Sequence, residues 1–359
     1  MTVDLAALGW NARLAETFAP HAERGLRPAR VSLEHTHIYR VWTAEGEVLA
    51  RVAGRMRHRA RTRPDYPAVG DWVAIEPDSH GGDARIVAVL PRSSRFSRHA
   101  AGEPTEEQIV AANIDTVFLV AGLDGNFNPR RLERYLVVAW ESGAAPVIVL
   151  NKSDLSGDPA ARVDEVRALA QGVPVHAVSC KVPGSLDVLR TYLGHGQTGA
   201  LLGSSGVGKS TIVNRLIGQD LLRTRDVRDW DSRGRHASTS RQLVLLPDGG
   251  VLIDTPGMRE LQLWETGDAL AGTFGDIDAL AESCRFRDCT HRSEPGCAVV
   301  AAAGAGTLPA ERLESFRKLA AEQEYQTRRQ DERALLDEKR RGRIGAKALR
   351  SRVREKGQG

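Results

Sequence analysis

The chain has 359 residues, of which 41% are hydrophobic and 27% are charged, an ordinary balance for a globular protein. No stretch approaches the roughly 20 consecutive apolar residues that a membrane-spanning helix requires, and Asp4 stands where a signal peptide carries a basic residue. We therefore expect a cytoplasmic protein of roughly two to three domains. We also expect a monomer that makes no contact with a membrane.

The net charge of +4 is unevenly distributed along the chain. Residues 339–359 contain nine Lys or Arg and a single acid, Glu355, while residues 51–63 contain six arginines. Such clusters are compatible with solvated surfaces alone. Two separate clusters favour a polyanionic partner, because Lys and Arg bind phosphates independently of sequence.

Residues 30–95 contain five short segments rich in β-branched and aromatic residues, separated by turn signals such as "AEG" and "DYPAVG". This spacing predicts a small closed barrel of the OB-fold type within an N-terminal domain over residues 1–100. We expect the arginine-rich segment 51–63 to be a loop between two of the strands. An RNA-facing barrel is the preferred interpretation, and a barrel that acts only as a spacer is the alternative.

From about residue 112, apolar strands such as "IDTVFLVAG", "APVIVLN" and "GVLIDT" alternate with helical stretches such as "PRRLERYLVVAWES". Continuous apolar strands joined by helices are typical of a largely parallel sheet that is buried on both faces. The pattern predicts an α/β domain over residues 101–269, with a ligand at the carboxyl ends of its strands.

The strongest motif is "GSSGVGKST" at 203–211, which follows a predicted strand and opens a predicted helix. Its backbone N–H groups are expected to surround nucleotide phosphates, with Lys209 reaching the β- and γ-phosphates and Ser210 binding Mg²⁺. The predicted nucleotide-binding residues here are Gly203, Ser204, Ser205, Gly206, Val207, Gly208, Lys209, Ser210 and Thr211.

A guanine-recognition loop is predicted at "NKSD", which precedes the phosphate loop in the chain. The Asp154 carboxylate can accept two hydrogen bonds from guanine, and adenine has no matching pair of donors. A second loop, "SCK", is expected to contact the guanine oxygen, and Cys180 is interpreted there as a small buried residue, with a nucleophile as the alternative. The predicted residues are Asn151, Lys152, Ser153, Asp154, Ser179, Cys180 and Lys181.

The segment "DTPG" has the D-x-x-G pattern, in which Asp254 would order Mg²⁺ and the Gly257 N–H would sense the γ-phosphate. Upstream, the polar segment "DSRGRHASTSRQL" has the composition of a switch loop. Thr239 is predicted to complete the coordination of Mg²⁺, with Ser238 as the alternative.

The C-terminal part, residues 270–359, contains "CRFRDCTHRSEPGC" and then a long segment of helix-forming residues that ends in the basic tail. Cys284, Cys289, His291 and Cys297 form a Cys₃His set, which suits one structural Zn²⁺ with no open position. Unconnected thiols are the alternative. Arg285, Arg287 and Arg292 lie between the ligands and are expected to face RNA phosphates.

The order "NKSD", "SCK", "GSSGVGKS", "RHAST", "DTPG", flanked by a barrel and a Cys/His module, resembles the ribosome small-subunit-dependent GTPase A family. The resemblance covers nearly the whole chain and implies a circularly permuted GTPase. It further implies a role in late maturation of the small ribosomal subunit, with binding to that subunit and its rRNA, hydrolysis stimulated by the subunit, and release controlled by the nucleotide. Ala237 departs from the family pattern, in which His precedes consecutive threonines.

Met258 occupies the position after the D-x-x-G glycine, where many GTPases have a glutamine that orients water, so we expect slow intrinsic hydrolysis. His236 is the candidate for orienting that water, as the resemblance also suggests. Two other functions are compatible with the residues. One is an RNA-binding scaffold that binds GTP without significant turnover, and the other is a P-loop ATPase or kinase in which Asp154 is incidental.

Overall fold

Five strands, which follow helix α1 (Ala12–Ala22) in the chain, close into a small barrel. The computed structural model describes residues 3–35, 38–78, 82–100, 103–125, 127–218, 242–247, 249–254, 268–329 and 332. The barrel strands are β1 (Arg27–His35), β2 (Ile38–Thr43), β3 (Gly46–Val52), β4 (Trp72–Glu76) and β5 (Ala84–Val89). The order β1-β2-β3-β5-β4 returns to β1 through the β1–β4 pairing, so no strand edge is left open. Val31, Val41 and Ile86 fill the interior, and the predicted five-stranded barrel is confirmed.

We predicted a loop for the arginine-rich segment between β3 and β4, but the structure shows regular elements there. It contains a short helix, α2 (Gly54–Arg59), followed by a 3₁₀ turn at Arg63–Asp65. Asp65 caps this turn by accepting the backbone N–H groups of Arg61 and Thr62 at 2.7 and 2.9 Å. The arginines of the segment are nevertheless exposed, as the sequence led us to expect.

A buried arginine holds the barrel against the rest of the chain. The Arg30 guanidinium donates to the backbone oxygens of Leu8, Gly70 (3.1 Å) and Asn113 (2.9 Å), and it stacks over the Trp72 ring. Burial lowers the pKa of Arg30 to about 10, so the side chain still carries its charge at neutral pH. Asn113 directly follows a hairpin that the sequence did not predict, β6 (Arg95–Ala100) and β7 (Glu103–Ala112).

In the part of the chain that the structure describes, the central sheet has six strands in the order β10-β9-β8-β11-β13-β12. They are β8 (Thr116–Gly122), β9 (Ala145–Asn151), β10 (Val175–Ala177), β11 (Thr198–Leu202), β12 (Gln242–Leu245) and β13 (Val251–Asp254). All pairings are parallel except that of β12 with β13, in agreement with the predicted largely parallel sheet. At the far edge, the described residues of β12 pair with β1 of the barrel at one position, Leu33 opposite Gln242.

Helices cover both faces of this sheet, which explains why its strands are apolar on both sides. Among the described residues, the helices between its strands are α3 (Pro129–Ser142), α4 (Pro159–Leu169), α5 (Asp187–Arg190) and α6 (Lys209–Ile217). Leu132 and Leu136 of α3 pack on one face, and Ile212 and Leu216 of α6 pack on the other.

The C-terminal part is helical and packs mainly on α3. It comprises α7 (Asp268–Thr273), α8 (Gly275–Ala281), α9 (Ala298–Gly304) and a final helix, α10, over residues 310–329. The Cys/His segment connects α8 to α9. Among the residues that the structure describes, no helix combines the length and the apolar character needed to cross a bilayer.

Candidate functional site

The predicted nucleotide loops follow the carboxyl ends of the parallel strands. The strands β8, β9, β11 and β13 end at Gly122, Asn151, Leu202 and Asp254 respectively, so these four residues lie at one edge of the sheet. The described loops that follow β8, β9 and β11 begin at this edge. The segment "NKSD" and the later phosphate loop are thus brought together by the fold, although "NKSD" comes first in the chain.

A direct contact joins these two loops. The Asn151 side chain is buried, and its Nδ2 donates to the backbone oxygen of Val207 at 2.8 Å. The next residue, Gly208, has φ +99°, and a Cβ there would lie 2.2 Å from Asn151 Nδ2. A side chain at Gly208 is therefore disfavoured twice, by its backbone conformation and by the approach of Asn151.

The carboxylate predicted to recognise guanine, that of Asp154, is held by residues of the second predicted loop. Asp154 Oδ1 accepts from Ser179 Oγ at 2.6 Å, and Oδ2 accepts from Lys181 Nζ at 2.9 Å. These hydrogen bonds lower the pKa of Asp154, so it is ionised at neutral pH, the form that accepts two hydrogen bonds from a base. Ser153 lies beside Asp154 in a single 3₁₀ turn.

Lys152 takes part in an ion pair that the sequence analysis missed. Its backbone is left-handed, with φ +62°, and its Nζ lies 2.6 Å from Asp124 Oδ2. Asp124 follows β8 by two residues. A polar residue after a buried strand, at the carboxyl edge of a parallel sheet, is the signal that could have identified it.

The phosphate loop is closed by its own lysine. Lys209 Nζ donates to the backbone oxygens of Gly203 and Ser204 at 2.7 and 2.8 Å. Ser205 and Gly206 are exposed, while Ser210 and Thr211 lie in the first turn of α6. Exposed loop atoms at the start of a helix can surround an anion, because the free N–H groups and the helix dipole both favour negative charge.

Asp254 lies at the end of β13, beside this loop. Burial raises the pKa of Asp254, and the positive charge of Lys209 opposes that rise. The remaining predicted residues of the site lie outside the described part of the chain. They are His236, Ser238, Thr239, Gly257 and Met258.

Cys180 is a half-buried thiol beside the guanine-recognition loop. Its Sγ lies 3.6 Å from Asn151 Oδ1, and burial raises the pKa of Cys180. The thiol is therefore protonated at neutral pH, whereas a nucleophilic cysteine needs a lowered pKa. These properties favour the interpretation of Cys180 as a small packing residue.

The Cys₃His residues converge on one point, with their ligand atoms all within 4.8 Å of one another. Cys284 Sγ lies 3.8 Å from Cys297 Sγ, and His291 Nδ1 lies 3.7 and 3.4 Å from these two sulfurs. Four tetrahedral ligands at about 2.3 Å from zinc are separated by about 3.8 Å, so the spacing fits Zn²⁺. Burial also lowers the pKa of His291, which favours the neutral imidazole that binds a metal.

Neighbouring residues hold the segment that carries this cluster. Glu294 accepts the backbone N–H groups of Thr290 and Arg292 at 2.9 and 2.8 Å. From α10, Arg317 Nε donates to the backbone oxygen of His291 at 2.8 Å. The three arginines between the ligands, Arg285, Arg287 and Arg292, are exposed.

Several known proteins are similar to this chain over most of its length. A family model described as RsgA GTPase matches residues 89–264. The chain is 48% identical to the small ribosomal subunit biogenesis GTPase RsgA of Opitutus terrae, over 91% of this chain and 92% of that protein. It is 46% identical to RsgA 2 of Lactiplantibacillus plantarum, over 99% of each.

The chain belongs to the RsgA GTPase family. Among solved structures, YjeQ from Thermotoga maritima superposes with a TM-score of 0.63 at 26% identity, covering 83% of this chain and 98% of YjeQ. YloQ, described as a circularly permuted GTPase, has a TM-score of 0.59 at 23% identity, covering 83% of this chain and 95% of YloQ. Membership in the RsgA family confirms the resemblance drawn from the motif order.

Proposed function

We propose that this chain is a GTPase that binds the small ribosomal subunit and its rRNA and acts in late maturation of that subunit. Hydrolysis of GTP to GDP and phosphate is stimulated by the subunit and controls release from it. The observation that carries this proposal is the hydrogen bond between Asn151 and the Val207 backbone, which joins a guanine-type loop to a phosphate loop in one site. The names of the relatives support the same process.

In this proposal Asp154 recognises the guanine, and Asn151, Lys152 and Ser153 brace the loop that carries it. Ser179, Cys180 and Lys181 contact the guanine side of the site. The polar partners that already orient Asp154 support this assignment, because they fix the carboxylate before it receives a base.

The phosphates would lie against residues 203–211, with backbone N–H groups and Lys209 as donors, and the Gly257 N–H would sense the γ-phosphate. Ser210, Asp254 and Thr239 would hold Mg²⁺, since hydroxyl and carboxylate oxygens are ligands that Mg²⁺ prefers. Mg²⁺ would neutralise charge on the phosphates when bound. These assignments rest on the position of Asp254 and the loop at one edge of the sheet.

Hydrolysis needs an oriented water, and we assign that role to His236. With Met258 at the usual glutamine position, the isolated chain is expected to turn over slowly until the subunit orders the switch segment. Lys209 and Thr239 complete the proposed catalytic set, Lys209 by stabilising charge on the phosphates.

One structural Zn²⁺ would be held by Cys284, Cys289, His291 and Cys297. Such an ion supplies folding free energy, and its four protein ligands leave no open coordination position for chemistry. The exposed arginines of this segment and of residues 51–63 are the proposed rRNA contacts.

We further propose three functional units over residues 1–100, 101–269 and 270–359. A chain with this role would be a cytoplasmic monomer.

Multiple-turnover GTP hydrolysis, measured with and without purified small ribosomal subunits, tests the proposal. We expect clear stimulation by subunits, no comparable hydrolysis of ATP, and loss of stimulated turnover in Lys209→Ala. Nucleotide binding without stimulated turnover would favour the scaffold. Equal hydrolysis of ATP and GTP would favour a P-loop ATPase.

A further inference from the structure

Helix α3 lies between the phosphate loop and the C-terminal helices. Asn128 caps its start, with its Oδ1 accepting the N–H groups of Arg130 and Arg131 at 2.9 and 3.3 Å. From this first turn, Arg131 Nη1 donates to Ser204 Oγ in the phosphate loop at 3.0 Å. A guanidinium group is thus fixed next to the segment proposed to receive the triphosphate.

One turn further along α3, the contacts are with α10. Arg134 forms a two-pronged ion pair with Glu322, at 2.6 and 2.7 Å. The fully buried Glu133 accepts from Arg312 Nη1 at 2.9 Å. Glu133 also pairs with Arg130 of α3 itself, so the link between the helices rests on Arg312, whose almost fully buried guanidinium would lose a carboxylate if α3 and α10 separated. Because breaking a buried ion pair is strongly disfavoured, α3 and α10 are expected to move together.

From α10 the contacts continue to the Cys₃His cluster. Arg312 also binds the Asp276 carboxylate on α8 at 2.6 and 2.7 Å and the Thr273 backbone oxygen at 3.0 Å. Arg317, five residues along the same helix, donates to the His291 backbone oxygen. Polar contacts, connected through the helices α3 and α10, therefore link Ser204 to the backbone of a proposed zinc ligand, His291.

We propose that Arg131 is a positioning residue of the nucleotide site and that it couples the phosphate loop to the Cys₃His module through α3. This inference rests on the proposed function, since it requires a nucleotide in the loop. The phosphates of a bound nucleotide attract the Arg131 guanidinium, so nucleotide binding changes the electrostatic force on the first turn of α3. Since α3 is bonded to α10, the same change reaches the module that is proposed to contact rRNA.

Amide hydrogen exchange of the full-length chain, with and without a non-hydrolysable GTP analogue and Mg²⁺, tests this coupling. In the wild type, the analogue should slow exchange in α6 and also in residues 284–297 and 310–329, by about fivefold, the low end of typical coupling between sites. Arg131→Ala and Ser204→Ala each remove the same contact from one side. At analogue concentrations that saturate each variant, both should keep the slowing in α6 and lose it in residues 284–297 and 310–329.

Two further variants serve as controls. Arg131→Lys keeps the charge and should retain part of the slowing of exchange in residues 284–297 and 310–329. Arg167→Ala, which removes an exposed ion pair with Asp164 on α4, should behave as the wild type. The inference is overturned if Arg131→Ala keeps the slower exchange in residues 284–297 and 310–329. It is also overturned if the analogue slows exchange in α6 of the wild type but not in those residues. Absence of slowing in α6 of the wild type would instead contradict the proposed function, and the inference with it.

Discussion

The nucleotide loops and the Cys₃His cluster are built in different ways. Residues 151–154 and 203–211 are far apart in the sequence, but each extends from a strand of a sheet that is buried on both faces. The cluster draws all its ligands from residues 284–297, a segment in which most side chains are exposed. The sheet therefore organises the proposed nucleotide site, whereas we expect the cluster to depend on the ion that it is proposed to bind.

Removal of the metal should give the largest effect, and it tests this difference directly. Structural zinc supplies about 10 kcal/mol or more of apparent binding free energy in small peptides. Stripping it should expose the amides of residues 284–297 to exchange while β8, β9 and β11 stay protected. Hydrogen exchange combined with zinc analysis measures both outcomes.

Cys289→Ala should reduce the bound zinc from one ion per chain to well below one. Cys180→Ala is the matched control, because Cys180 lies at the guanine-recognition loop and outside the cluster, and its zinc content should equal that of the wild type. Unchanged exchange in residues 284–297 after metal removal would contradict the dependence of the cluster on its ion.

A second prediction concerns the contact between the nucleotide loops. Gly208→Ala imposes a left-handed backbone on alanine and also pushes against Asn151, so it should lower the free energy of unfolding by about 2–3 kcal/mol. Gly206→Ala has a similar positive φ, but a Cβ there meets nothing within 4 Å, so it should cost only about 1 kcal/mol. Denaturant unfolding of the two variants measures the difference. Equal losses would mean that the approach of Asn151 contributes nothing.

A smaller effect is expected at the ion pair behind the guanine-recognition loop. Asp124→Asn removes the carboxylate that holds Lys152, and both side chains are about a quarter exposed, at 24% and 25%. Pairs of this kind contribute up to about 1 kcal/mol, so GDP should bind about twofold to fivefold more weakly. Fluorescence titration with labelled GDP measures this change, with the exposed Asp187→Asn as control. A loss as large as that of Lys209→Ala would show that Asp124 does more than position Lys152.

The sequence alone predicted the structure correctly where one local pattern of residues determines it. The alternation of residues 30–95 predicted every barrel strand, and the glycines and lysine of residues 203–211 predicted the strand-to-helix turn. The contacts of Asp124 and Arg131 were missed, because they depend on which loops the sheet brings together. The ion pair between Glu133 and Arg312 was missed for the same reason, since 179 residues separate them. The hairpin of β6 and β7 was missed although Gly102 lies between its strands, because the first half of β7 is polar and contains Pro104, a pattern that does not predict a strand.

The most direct test of the account is whether the early "NKSD" loop and the later phosphate loop form a single guanine site. Competition binding of GDP, xanthosine diphosphate and ADP to the wild type and to Asp154→Asn provides that measurement. The wild type should prefer GDP over ADP by at least about 10-fold to 100-fold, the discrimination that a paired set of base hydrogen bonds provides. Asp154→Asn should shift the preference to xanthosine diphosphate, because its amide can donate to the added xanthine oxygen. Equal wild-type affinities for GDP and ADP, or an unchanged preference in Asp154→Asn, would contradict the account.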